Sequence, residues 1–94
     1  MMLITQNKTF SQSTVLSKLY HLQEEIQELI TDLQSANPNR RFEFAYCIIL
    51  LFGAACDDGM TYDIICRAIQ EKFEINKNRK WGIPNKNGVV NHIE

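Results

Sequence analysis

The chain has 94 residues, 45% of them hydrophobic and 22% charged, with a net charge of −1. That is one globular domain's worth of chain, too rich in aliphatic and aromatic residues for intrinsic disorder. It also lacks the basic excess of a nucleic-acid-binding or membrane-surface protein, so neither nucleic acid nor membrane is expected as a partner.

Residues 1–10 carry no clear period and are expected to form an extended or irregular lead-in. Met1-Met2-Leu3-Ile4 has neither the basic region nor the long apolar run of a signal peptide. Ser11, Ser13 and Thr14 offer N-caps for a first helix, expected over about 13–35. At 100° per residue, Leu16, Leu19, Leu22, Ile26, Leu29, Ile30 and Leu33 share one broad apolar face. His21, Glu25, Glu28 and Asp32 line its edge as a stripe. Like charges at this spacing repel by a few tenths of a kcal/mol per pair, so the stripe is either a solvated acidic face or the place where a cation is met.

Asn37-Pro38-Asn39 reads as a turn, with Pro38 suited to a first helical position. The second helix, expected over about 39–57, is apolar almost all round: Phe42, Phe44, Ala45, Tyr46, Cys47 and the run Ile48 to Phe52. Such a helix is expected to be buried on several sides. Glu43 is the one charge between Arg41 and Asp57, and a carboxylate amid that surface needs solvent, an arginine or a cation. Asp57-Asp58-Gly59 ends it, with Gly59 as a left-handed cap.

Thr61 caps a third helix, expected over about 61–80, with Tyr62, Ile65, Cys66, Ile69 and Phe73 as its apolar stripe. Lys72, Asn76 and Arg79 run along one flank, where they suit an anion such as a phosphate or simply complement the helix dipole. Residues 81–94 contain enough Pro and Gly to be a non-helical arm. Cys47, Cys56 and Cys66 are odd in number, follow no metal-binding spacing, and suit reduced thiols in a cytoplasmic setting.

Glu25 and Glu28, a fourteen-residue gap, and Glu43 entering an apolar helix resemble the all-α nucleoside triphosphate pyrophosphohydrolases of the MazG and dimeric dUTPase superfamily. Its motif is Glu-x-x-Glu followed by Glu-x-x-Asp. Lys72, Asn76, Arg79 and Trp81, and the ending Gly88-Val89-Val90-Asn91-His92-Ile93, look like the bacterial and phage dATP/dGTP diphosphohydrolase branch.

The resemblance implies an all-α antiparallel bundle of three helices, residues 1–94 forming one domain completed by dimerisation or tetramerisation. It implies Mg²⁺, or Mn²⁺ in its place, held by Glu25, Glu28 and Glu43, with Glu24 as a weaker candidate. Lys72, Asn76, Arg79 and Trp81 would meet the nucleoside triphosphate, which is cleaved between its α and β phosphates to a monophosphate and pyrophosphate. Tyr46 stands where the motif has Asp, and a phenol with a pKa of about 10 is a poor Mg²⁺ ligand. Asp32 is the nearest substitute, whereas Asp57 and Asp58 lie roughly 16 Å or more further along the helix. A weakened enzyme and a non-catalytic module that retains the fold for nucleotide binding or oligomerisation are the two readings that follow.

Overall fold

The computed structural model describes residues 2–36 and 40–93, with side chains from Thr14 onward, so the Asn37-Pro38-Asn39 turn lies outside the described residues. It is all-helical: α1 (Met2–Leu33), α2 (Arg40–Asp57) and α3 (Tyr62–Lys77), with no strand among the described residues. The chain divides into two compact units, Met1–Thr61 and Tyr62–Glu94.

In the first unit, α1 begins at Met2 rather than near residue 13. Ser11, Ser13 and Thr14 are helix-interior residues instead of caps. Interior Ser and Thr cost only tenths of a kcal/mol relative to Ala, and no Pro or Gly interrupts residues 1–36, so nothing stops the helix from extending backwards. At the far end of α2, Gly59 takes a φ of 99°, its N–H bonds the Cys56 carbonyl at 3.0 Å, and the Met60 N–H bonds the Ala55 carbonyl at 3.1 Å. This is the paired closure of a Schellman cap, with Gly59 in the left-handed position it alone adopts without strain.

Helices α1 and α2 pack antiparallel. Lys18, midway along α1, pairs with Asp57 at the end of α2, and Asp32, near the end of α1, bonds Glu43 in the first turn of α2. The seam is a row of residues three and four apart on each helix: Val15, Lys18, Leu22, Glu25, Leu29 and Asp32 facing Glu43, Cys47, Leu50, Ala54 and Asp57. Leu22, Leu29, Leu50 and Ala54 are its buried apolar members. The seam is thus rotated toward the acidic stripe, and Leu16, Ile26, Ile30 and Leu33 of the expected apolar face are exposed.

The expectation that α2 is buried on several sides does not hold within one chain. Phe42, Ile48 and Ile49 are 60%, 66% and 63% exposed. One helix can cover only one side of another, and the remaining apolar sides of α2 face outward. No single helix among the described residues is long and apolar enough to cross a membrane.

In the second unit, α3 stops at Lys77, short of the expected 80, and closes with short-range bonds from Asn78 N–H to the Ile75 carbonyl and from Arg79 N–H to the Asn76 carbonyl. Its apolar stripe is largely open: Tyr62, Ile69 and Phe73 are exposed. The arm after it is non-helical and folds back on itself. Its two limbs meet through an isolated antiparallel bridge between Trp81 and His92, with Gly82 N–H on the Asn91 carbonyl at 2.8 Å and Ile93 N–H on the Lys80 carbonyl at 2.7 Å. Asn85 turns the corner: its Oδ1 accepts from the N–H groups of Asn87 and Val89, and Gly88 adopts a φ of 79°.

Candidate functional site

One end of the first unit's seam is a cluster of acids. Glu25, Glu28 and Asp32 recur on one strip of α1, and Glu43, one turn into α2, joins them across the antiparallel seam. Glu43 is pushed up to about 7, first by its hydrogen bond with Asp32, then by burial and by the charges of Asp32, Glu28 and Glu25. Its Oε2 is withdrawn from solvent. Glu28 is also raised, mainly by the charge of Glu25, then by burial and a hydrogen bond with Glu25, with smaller contributions from Asp32 and Glu24. Carboxylates crowded this closely cannot all ionise without cost, so near neutrality they hold a proton among them.

Two groups flank the acids. Burial, followed by the charges of Glu25 and Glu43, pushes the Cys47 thiol up and keeps it from acting as a thiolate nucleophile. His21 Nε2 lies 3.3 Å from Glu25 Oε1, and its ring meets the Tyr46 ring edge-to-face at 5.3 Å between centroids. At the other end of the seam, the Lys18 ammonium pairs with the Asp57 carboxylate.

In the second unit, Asn76 and Arg79 are half-buried at the end of α3, and Lys72, one turn before Asn76, is exposed. The Trp81 indole N–H donates to the Asn76 carbonyl at 3.1 Å, so the ring is fastened to the helix end, and it meets His92 edge-to-face at 6.0 Å. Asn76 Oδ1 is buried and accepts no hydrogen bond. Arg79 Nη1 lies 3.3 Å from His92 Nδ1; a guanidinium can only donate, so His92 Nδ1 is the acceptor in this contact. The candidate residues therefore fall into two groups, Glu25, Glu28 and Glu43 together in the first unit, and Asn76, Arg79 and Trp81 together in the second.

A family model described as dATP/dGTP pyrophosphohydrolase matches residues 5–94. The chain belongs to that family. Comparison with curated proteins and with solved structures gives no match.

A dATP/dGTP pyrophosphohydrolase family implies a nucleoside triphosphate substrate, and a triphosphate raises the question of a cation. Among the described residues no three His, Cys, Asp or Glu side chains already converge on a point as metal ligands do. The donor chemistry nevertheless fits Mg²⁺: four carboxylates offer hard anionic oxygens from two packed helices, linked in pairs by hydrogen bonds, Glu28 with Glu25 and Glu43 with Asp32. Glu25, Glu28, Asp32 and Glu43 are the residues able to hold it.

Three roles were not read from sequence for this pyrophosphohydrolase family member. Lys18 gave a signal, lying four residues before Leu22 on the inward row, but its pairing with Asp57 depends on the register between helices. His92 was part of a recognised ending without a role of its own. His21 was placed on the acidic stripe without a partner on α2.

Proposed function

We propose that the chain is a Mg²⁺-dependent (deoxy)nucleoside triphosphate pyrophosphohydrolase that acts on dATP and dGTP, releasing the nucleoside monophosphate and pyrophosphate. The observation that carries this reading is the gathering of Glu25, Glu28, Asp32 and Glu43, with Glu43 pushed up to about 7. A cluster of like charges is costly to maintain, and a divalent cation delivered with a triphosphate is the ligand that removes the cost.

The reaction is attack of water on the α-phosphorus, with the bond to the bridging oxygen breaking and pyrophosphate leaving. Bound Mg²⁺ supplies neutralisation of the triphosphate's charge and acidification of the attacking water. The chain's own part begins with a proton at the Glu43 carboxyl, shared with Asp32 and given up as the site charges. Glu25 and Glu28 present carboxylate oxygens from α1. Asp32 stands in for the motif Asp replaced by Tyr46, since it reaches Glu43 from one turn past Glu28. Lys72 and Arg79 are assigned to the phosphates, Arg79 by its planar fork and Lys72 as a point charge. Asn76, whose buried Oδ1 still has an acceptor to offer, and Trp81 are assigned to the nucleoside. The exposed apolar sides of α2 are assigned to a second copy, giving a dimer or tetramer.

One observation favours the alternative, a non-catalytic module for nucleotide binding or oligomerisation: a phenol occupies the fourth motif position at Tyr46. A panel of dNTPs and NTPs with Mg²⁺ or Mn²⁺, followed for pyrophosphate, separates the two. The enzyme reading expects release from dATP and dGTP above dCTP and dTTP. Nucleotide binding without pyrophosphate from any substrate would leave the module reading.

A further inference from the structure

The His21–Tyr46 contact links α1 to α2 beside the acid cluster through two side chains that are not acids. Tyr46 lies on α2 at the position where the motif calls for a carboxylate, and its ring meets the His21 ring at 88° between planes. The imidazole's Nε2 faces Glu25 Oε1 at 3.3 Å. Exposed pairs four residues apart on a helix are loose, worth about 0.2–0.5 kcal/mol, because both side chains sample several rotamers. This pair is different on both sides. The Glu25 side chain is only 15% exposed, and the His21 ring, 42% exposed, is pinned from the other helix by an aromatic edge.

We propose that Tyr46 is a brace rather than a lost ligand: it holds His21, and His21 donates to Glu25 Oε1 so that the other oxygen, Oε2, is aimed at the cation. The inference rests on the proposed cation site and explains how the chain keeps that site with a phenol at the fourth motif position. His21 and Tyr46 are positioning residues, acting through Glu25, in the way that outer-shell partners orient metal-ligating side chains. What Tyr46 contributes is its ring, since the contact to His21 is ring to ring.

The test uses the full chain, stripped of metal, with Mn²⁺ affinity read from the electron paramagnetic resonance of the free ion and folding read by circular dichroism. Tyr46→Phe keeps the ring and is expected to hold Mn²⁺ within twofold of the parent. Tyr46→Ala and His21→Leu are each expected to weaken it about tenfold, the low end for removal of an outer-shell partner. His21→Gln, which restores a donor at the same reach, is expected to recover part of the loss. The double variant His21→Leu/Tyr46→Ala is expected to be no weaker than either single one, because both cut the same chain of contacts. Should Tyr46→Ala not fold, His21→Leu and His21→Gln carry the comparison.

Mn²⁺ affinity unchanged in His21→Leu would overturn the inference and leave the proposed function standing, as would a loss in Tyr46→Phe equal to that in a Tyr46 truncation. A parent chain that binds no Mn²⁺ and releases no pyrophosphate would remove the proposed function itself, and the brace with it.

Discussion

Proton and cation should compete for the acid cluster, and the structure sets where. Glu43 is raised from 4.5 to about 7, with the hydrogen bond to Asp32 as the largest cause, so the Glu43–Asp32 pair keeps one proton at pH 6 and loses it toward pH 8. A cation bound by these carboxylates must displace that proton. Its apparent affinity should therefore rise about tenfold per pH unit below 7 and flatten above, roughly a tenfold gain from pH 6 to pH 7.5. The folded, metal-free chain obeys the matching sign. A carboxyl whose folded pKa is raised binds more protons folded than unfolded, so its stabilising contribution is full below 4.5 and is lost as pH rises through about 7. Thermal melts from pH 5 to pH 8 should show the metal-free protein losing stability across that window, with added Mg²⁺ restoring it at the upper end. Glu43→Gln, which cannot ionise, should flatten both profiles. A metal affinity independent of pH between 6 and 8, in a protein that stays folded, would refute the shared-proton description of the cluster.

Gly53 sits inside α2 where the nearest atoms to an added Cβ belong to the Lys18 side chain, at 3.5 Å or more, so Gly53→Ala should stabilise by roughly 0.5–1 kcal/mol and raise the melting temperature by several degrees. Gly59→Ala should do the opposite, by about 1 kcal/mol in denaturant titration, because its φ of 99° strains any side chain despite open space around it. Light scattering at micromolar concentration should return a dimer or tetramer, given the exposed Phe42, Ile48 and Ile49, whereas a monomer would leave the apolar sides of α2 without a second copy.

The existence of three helices was legible because each carries a run of residues at helical spacing closed by a turn signal. The facing of those helices was less so. Sorting apolar from polar residues put Leu16, Ile26 and Leu33 inward, but the seam runs through Lys18, Glu25 and Asp32. Two of the three find partners only once α2 is laid antiparallel, Lys18 with Asp57 and Asp32 with Glu43, and that register is invisible to a single-helix period. Glu25, Glu28 and Glu43 were legible as a set through the motif, and Asp32 by its position one turn beyond Glu28. The partnership of His21 with Tyr46 was not, since it joins a stripe on one helix to an apparent defect on the other. The arm's corner was written in Pro84-Asn85-Lys86-Asn87-Gly88, a turn signal between two short apolar stretches, yet only its non-helical character was read.

The central claim is that the acid cluster serves pyrophosphate release, and Glu28→Gln tests it most directly. The substitution keeps helix propensity close to that of Glu while removing one anionic oxygen donor from α1. With dATP and Mg²⁺, the parent chain should release pyrophosphate and Glu28→Gln should release none above background, at an unchanged circular dichroism spectrum. Equal rates of pyrophosphate release from the two proteins would contradict the account.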